Sequence, residues 1–149
     1  MEENEDLEEE TYDAYDGQDA IIFVIDASAS MFQIPPVDEE DVEVSNDCPF
    51  TLALKCANAT LCKKILTAPN DHVAIVLFGT KKTVPNDKYG VYSSTLLLQD
   101  LQKPDSLPIK ELENLLRDSD EFKKSAADNP QSFSLADSLW LCSSIFSKQ

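Results

Sequence analysis

The residues with the clearest chemical potential are a carboxylate and two hydroxyls at alternate positions, Asp26, Ser28 and Ser30. Alternate residues of a turning loop can converge, and their oxygens suit a hard divalent cation such as Mg²⁺ or Mn²⁺. An octahedral ion would need further ligands, from Ser132, from Ser134 or from residues outside this chain. The competing interpretation is that these side chains only hydrogen-bond backbone amides where a strand becomes a loop. The motif therefore indicates a candidate Mg²⁺ site, incomplete in this chain, and leaves the purely structural role open.

Other residues with chemical potential have simpler interpretations. Ser134, followed three residues later by Asp137, opens an apolar helical run and predicts a helix cap rather than a metal ligand. His72 has no serine or cysteine nucleophile in a recognisable motif nearby, so we expect a loop role and no catalysis. Lys81 and Lys82 are too few to form a nucleic-acid patch.

The candidate site follows a strand signal. The apolar run Ala20–Ile25 ends directly at Asp26, which predicts a strand buried on both faces of a sheet. In open α/β sheets, ligands bind at the carboxyl ends of such strands. A second apolar strand is predicted at Val73–Phe78, and a helix at Phe50–Leu66, with Pro49 in its first turn, connects the two as parallel neighbours. The predicted buried face of this helix consists of Leu54, Ala57, Leu61 and Ile65, with Cys62 beside them.

The rest of the chain predicts three more elements. These are a strand at Val91–Leu98, a short helix at Pro108–Leu116 and a final helix at Ser134–Ser147. One face of the final helix is predicted to be buried and consists of Leu135, Leu139, Cys142 and Phe146, flanked by Trp140 and Ile145. The sequence stops soon after this helix, so we expect only the first half of an α/β domain.

Composition limits the possible function classes. The 149 residues, 42% of them hydrophobic, suffice for one domain or part of one. The formal net charge is −16, and every Lys and Arg lies after residue 54, which argues against a stand-alone nucleic-acid binder. Residues 1–19 are predicted to be a disordered acidic tail, and residues 35–47 an exposed loop.

Cysteine usage and the first residues indicate the compartment. The four cysteines form no C-x-x-C pair, so a zinc site has no support. The start MEENEDLEEE is not a secretory signal, and no apolar run is long enough for a membrane helix. We therefore expect a soluble intracellular protein with reduced thiols and no membrane association.

Several segments together resemble a known family. AIIFVIDASASMF (20–32) resembles the opening of a von Willebrand factor A-type domain, whose metal-binding loop begins Asp-x-Ser-x-Ser. Together with HVAIVLFGTKK (72–82), VYSSTLLLQDLQKPD (91–105) and SFSLADSLWLCSSIFS (132–147), it resembles the amino-terminal domain of the Ku family, in its smaller, seventy-kilodalton subunit. The resemblance implies a doubly wound, mostly parallel α/β sheet of von Willebrand A-like, Rossmann-like type. Residues 20–149 would be the amino-terminal part of that domain, incomplete at the C-terminus.

The resemblance also implies a function. With the larger Ku subunit as heterodimer partner, such a protein binds DNA double-strand-break ends in non-homologous end joining and telomere maintenance, in the nucleus. This segment would be a peripheral domain that contacts end-joining repair proteins, while DNA is held by regions outside this chain. The alternative is a Mg²⁺-dependent A-type interaction module unrelated to DNA repair.

No enzyme activity is expected from this segment. Smaller Ku subunits are credited with a lyase activity at abasic DNA ends that uses a lysine near a tyrosine before the first strand. Here Ala14 precedes Tyr15, and no lysine occurs before Lys55. The family also carries an ATP-dependent helicase assignment, yet this sequence has no glycine-rich phosphate-binding loop.

Overall fold

The computed structural model describes residues 17–34, 36, 47–81, 86–126 and 133–148. Its elements in chain order are β1 (Ala20–Asp26), a 3₁₀ turn (Ala29–Phe32), α1 (Pro49–Thr67), β2 (His72–Phe78), β3 (Thr95–Gln102), α2 (Ser106–Arg117), α3 (Ser119–Ser125) and α4 (Leu135–Ser147). Residues 1–16 of the predicted acidic tail and residues 37–46 of the predicted loop lie outside the described residues. The sequence did not predict α3.

The three strands form one sheet in the order β1-β2-β3. β1 runs parallel to β2 in unbroken register, from Ala20 opposite His72 to Asp26 opposite Phe78. The predicted parallel pair joined by a helix is therefore confirmed, and so is the α/β class. β3 runs antiparallel to β2, which makes the described part of the sheet mixed.

The third strand begins later than the sequence predicted. The strand predicted from Val91 starts at Thr95, and Val91 is 64% exposed. Reciprocal backbone hydrogen bonds between Asn86 and Gly90 close a turn, and Ser94 has a φ of 51°. A positive φ is incompatible with a regular strand, so extended structure begins only after Ser94.

β2 is the buried centre of the fold. Its side chains alternate between the two faces of the sheet, as strand geometry requires. Val73, Ile75 and Leu77 pack in a core with α1 and α2, whereas Ala74 and Val76 pack in a second core with α4. Helices therefore cover both faces of the sheet, as in a doubly wound fold.

β1 is less enclosed than the sequence predicted. Ile25 is its one buried residue, and Ala20 is exposed. Both faces of β1 are nevertheless covered as predicted, since Phe23 and Ile25 pack in the core with α1 and α2, and Ile22 and Val24 pack against the core with α4. Burial is partial because β1 pairs with β2 along one edge and the described residues place no strand along its other edge.

α1 begins at Pro49, as predicted, and its N-cap residue is Cys48. Its buried residues are Phe50, Leu54, Ala57 and Leu61. The predicted face is thus confirmed for three of its members, while Ile65 is only partly buried and Cys62 is exposed. The Phe50 ring lies 4.6 Å from that of Phe32 and 5.7 Å from that of Phe122, which joins α1 to the 3₁₀ turn and α3.

α4 packs through a different face from the predicted one. Its buried residues are Ser138, Leu141, Cys142 and Ile145. Of the predicted face and its two flanking residues, only Cys142 and Ile145 are buried, since four large apolar side chains are 45–68% exposed: Leu135, Leu139, Trp140 and Phe146. Ser138 allows close packing because it is small and its hydroxyl donates to the Leu135 carbonyl at 2.7 Å. Apolar residues occur all round this helix, so periodicity alone could not select the face that meets the sheet.

Asp71 connects the starts of β1 and β2 to the end of α1. Its side chain is buried, accepts a hydrogen bond from the Asp19 backbone N–H at 3.0 Å and forms an ion pair with Lys64. The Asp19 carbonyl in turn accepts from the His72 N–H at 2.8 Å. The Lys64 hydrogen bond, followed by that from Asp19, lowers the pKa of Asp71 below its ordinary value.

Two leucines of α4 test the observed packing. Leu141→Ala should lower the free energy of unfolding by about 2–5 kcal/mol, because it leaves a cavity in the core. Leu139→Ala, in the same helix, should change it by about 0.5 kcal/mol or less, because Leu139 is 54% exposed. Urea unfolding followed by circular dichroism measures both. If the two variants lost equal stability, or if Leu139→Ala lost more, α4 would have to contact the sheet through a different face.

Asp71 predicts a specific acid dependence of stability. Its pKa is lower in the folded than in the unfolded chain, so the ionised form stabilises the fold above the unfolded-state pKa of about 3.9. This contribution is lost as pH falls through and below that value. Asp71→Asn should therefore melt lower than the parent at pH 7, with the difference shrinking below about pH 4. Glu113→Gln, at an exposed position of α2, is the control, and a difference independent of pH would contradict the assignment.

Candidate functional site

The three predicted ligands lie where β1 ends and its loop begins. Asp26 is the last residue of β1, Ser28 precedes the 3₁₀ turn, and Ser30 lies within it. The Ala27 N–H donates to the Phe78 carbonyl at 2.8 Å. The backbone hydrogen bonding between β1 and β2 therefore extends one residue beyond the end of β1. The loop is thereby held against the carboxyl end of β2.

The side chains of this loop are in direct contact. The Ser28 and Ser30 hydroxyls are hydrogen-bonded at 3.1 Å, and the Ser28 N–H donates to Asp26 Oδ1 at 2.8 Å. Ser28 is buried, Asp26 half-buried and Ser30 exposed. Asp26 therefore makes the hydrogen bond to a backbone amide that the structural interpretation of the motif predicts. Its Oδ2 has no hydrogen-bond partner in the described part of the chain.

The distance between the two hydroxyl oxygens is that of a hydrogen bond and is also near the separation of neighbouring metal ligands. Mg²⁺ binds oxygens at about 2.0–2.1 Å, which places neighbouring ligands of an octahedron about 2.9 Å apart. The 3.1 Å between Ser28 Oγ and Ser30 Oγ is close to that separation. One carboxylate and two hydroxyls are hard ligands, so this donor set suits Mg²⁺ or Mn²⁺ and not a soft metal. Among the described residues, no cluster of three or more His, Cys, Asp or Glu side chains could hold a metal ion.

The other candidate residues are placed apart from this loop or serve another purpose. Ser134 is the N-cap of α4, and its Oγ accepts from the Ala136 N–H at 3.1 Å, so the predicted cap is confirmed. Ser132 and Lys82 lie outside the described residues. His72 is the first residue of β2. The prediction that it lies in a loop directly before the strand is therefore wrong by one residue.

Gly79 is the site residue that sequence reasoning missed. Its φ is 74°, and a Cβ at this position would lie 3.1 Å from the Cβ and N of Ser28 and 3.2 Å from Asp26 Oδ1. A side chain at residue 79 would therefore press on the loop that carries the candidate ligands. The sequence does contain a signal for this contact, namely a glycine directly after the second buried strand. Parallel neighbouring strands end at the same edge of a sheet, so the residue after β2 is expected to lie near the residues after β1.

Comparison with known sequences gives the family. Residues 20–149 match the family described as the Ku70/Ku80 N-terminal alpha/beta domain. This chain belongs to the Ku family. The resemblance drawn from the sequence motifs is confirmed, and the Asp26 loop lies within the matched region.

Individual relatives resemble this Ku chain over most of its length. It is 36% identical over 144 residues to the ATP-dependent DNA helicase II subunit 1 of Phaeosphaeria nodorum, covering 97% of this chain and 22% of that protein. It is 37% identical over 145 residues to the ATP-dependent DNA helicase 2 subunit 1 of Rhipicephalus appendiculatus, covering 96% and 22%. It is 30% identical over 135 residues to the X-ray repair cross-complementing protein 6 of Mus musculus, covering 89% and 20%. The chain thus spans about a fifth of the length of these curated relatives.

Within the described residues, no helix is both long and apolar enough to cross a bilayer.

Two glycines with positive φ form a matched pair for testing the Asp26 loop of this Ku domain. Gly79→Ala combines backbone strain with contacts to Ser28, whereas a Cβ on Gly90, at φ 96°, would meet nothing within 4 Å. Each substitution should cost about 1–2 kcal/mol of stability through the left-handed backbone. Only Gly79→Ala should also shift the amide resonances of Ser28 and Ser30 in NMR spectra. Unchanged resonances there would show that residue 79 does not position the loop.

Proposed function

We propose that this chain is the amino-terminal domain of a Ku subunit that binds DNA double-strand-break ends together with the larger Ku subunit. The observation that carries the proposal is the match to the Ku amino-terminal domain over residues 20–149. The relatives include a protein named for X-ray repair, which supports a role in DNA repair. The pathways proposed are non-homologous end joining and telomere maintenance, and the proposed compartment is the nucleus.

Within that protein, we propose that this domain is peripheral and contacts proteins rather than DNA. The formal charge of the whole 149-residue chain is −16, which opposes binding to phosphates. α4 exposes large apolar side chains, of which Trp140 at 68% is the most exposed. Exposed aromatic and aliphatic groups of this kind are typical of protein-protein contact surfaces. End-joining repair proteins are the proposed partners, and DNA ends would be held by regions outside this chain.

No catalytic role is proposed for this segment. The helicase names belong to the relatives that carry them. Among its own residues, neither a phosphate-binding glycine loop nor a lysine before residue 55 offers a basis for ATP hydrolysis or Schiff-base chemistry.

The peripheral role predicts that DNA binding and the α4 surface are separable. The heterodimer of the full-length subunit and its larger partner should bind linear duplex DNA and not closed circular DNA. The double variant Leu139→Ala with Trp140→Ala should leave the Kd for linear ends within about twofold, since a contact to DNA would cost more than 1 kcal/mol. Electrophoretic mobility shifts measure both quantities. Binding to closed circles would contradict end recognition, and a tenfold weaker Kd for the variant would contradict a peripheral position.

A second candidate function rests on the Asp26 loop. The alternative of a module unrelated to DNA repair is not supported, because the chain belongs to the Ku family. Its metal part can be kept within that family: the domain would be a Mg²⁺-dependent interaction module in which Asp26, Ser28 and Ser30 hold the ion. The bound ion would supply a positive centre that a carboxylate of a partner completes. The contacts that bring Asp26, Ser28 and Ser30 together at the carboxyl end of β1 support this candidate.

Removal of the hydroxyls tests the metal site without disturbing the Asp26 hydrogen bond. Ser28→Ala and Ser30→Ala should each weaken Mg²⁺ binding to the full-length subunit, as measured by isothermal titration calorimetry, because each removes one oxygen ligand. Ser134→Ala, which removes the helix cap, is the control and should leave Mg²⁺ affinity unchanged. If the parent protein binds no Mg²⁺, or if all three variants bind it equally well, the metal assignment fails.

A further inference from the structure

We draw no further inference here: the strongest candidate, the apolar side of α4 around Leu139 and Trp140 that the sheet leaves exposed, carries nothing beyond the contact role already proposed for it, because nothing in the described part of the chain shows what covers it.

Discussion

The complete burial of β2 is the constraint on which the rest of this structure depends. Its five central residues, Val73–Leu77, are fully inaccessible to solvent. A strand whose side chains alternate between two apolar environments requires helices on both faces and neighbours that satisfy its backbone. α1 and α2 cover one face of β2, and α4 covers the other. β1 and β3 pair with its backbone on either side. The arrangement of the helices and strands around β2 meets these requirements.

The candidate metal loop is a product of the parallel pairing. Because β1 and β2 run in the same direction and in register, Asp26 lies opposite Phe78 and both strands release their loops at one edge. Gly79 can then approach Ser28 closely without a side chain. The Asp26 carboxylate orders the loop by accepting the Ser28 amide with one oxygen, and its second oxygen has no hydrogen-bond partner among the described residues.

Charge and exposed apolar groups are concentrated in different parts of this Ku chain. The residues before α1 are acidic and contain no Lys or Arg, whereas α4 exposes four large apolar side chains: Leu135, Leu139, Trp140 and Phe146. α4 and α2 lie on opposite faces of the sheet, since they belong to different cores.

The sequence by itself determined the elements whose signals are local. The unbroken apolar runs of β1 and β2, the proline that starts α1 and the serine that caps α4 each specify a backbone conformation through neighbouring residues. Ku membership also follows from such segments. Tertiary structure decided that β3 is antiparallel, that β1 lies at an edge of the described sheet and that Gly79 touches Ser28. It also decided that Leu141 and not Leu139 is buried, because α4 is apolar all round and only its fit to the sheet distinguishes the faces. These outcomes depend on contacts between residues far apart in the chain, which local pattern cannot specify.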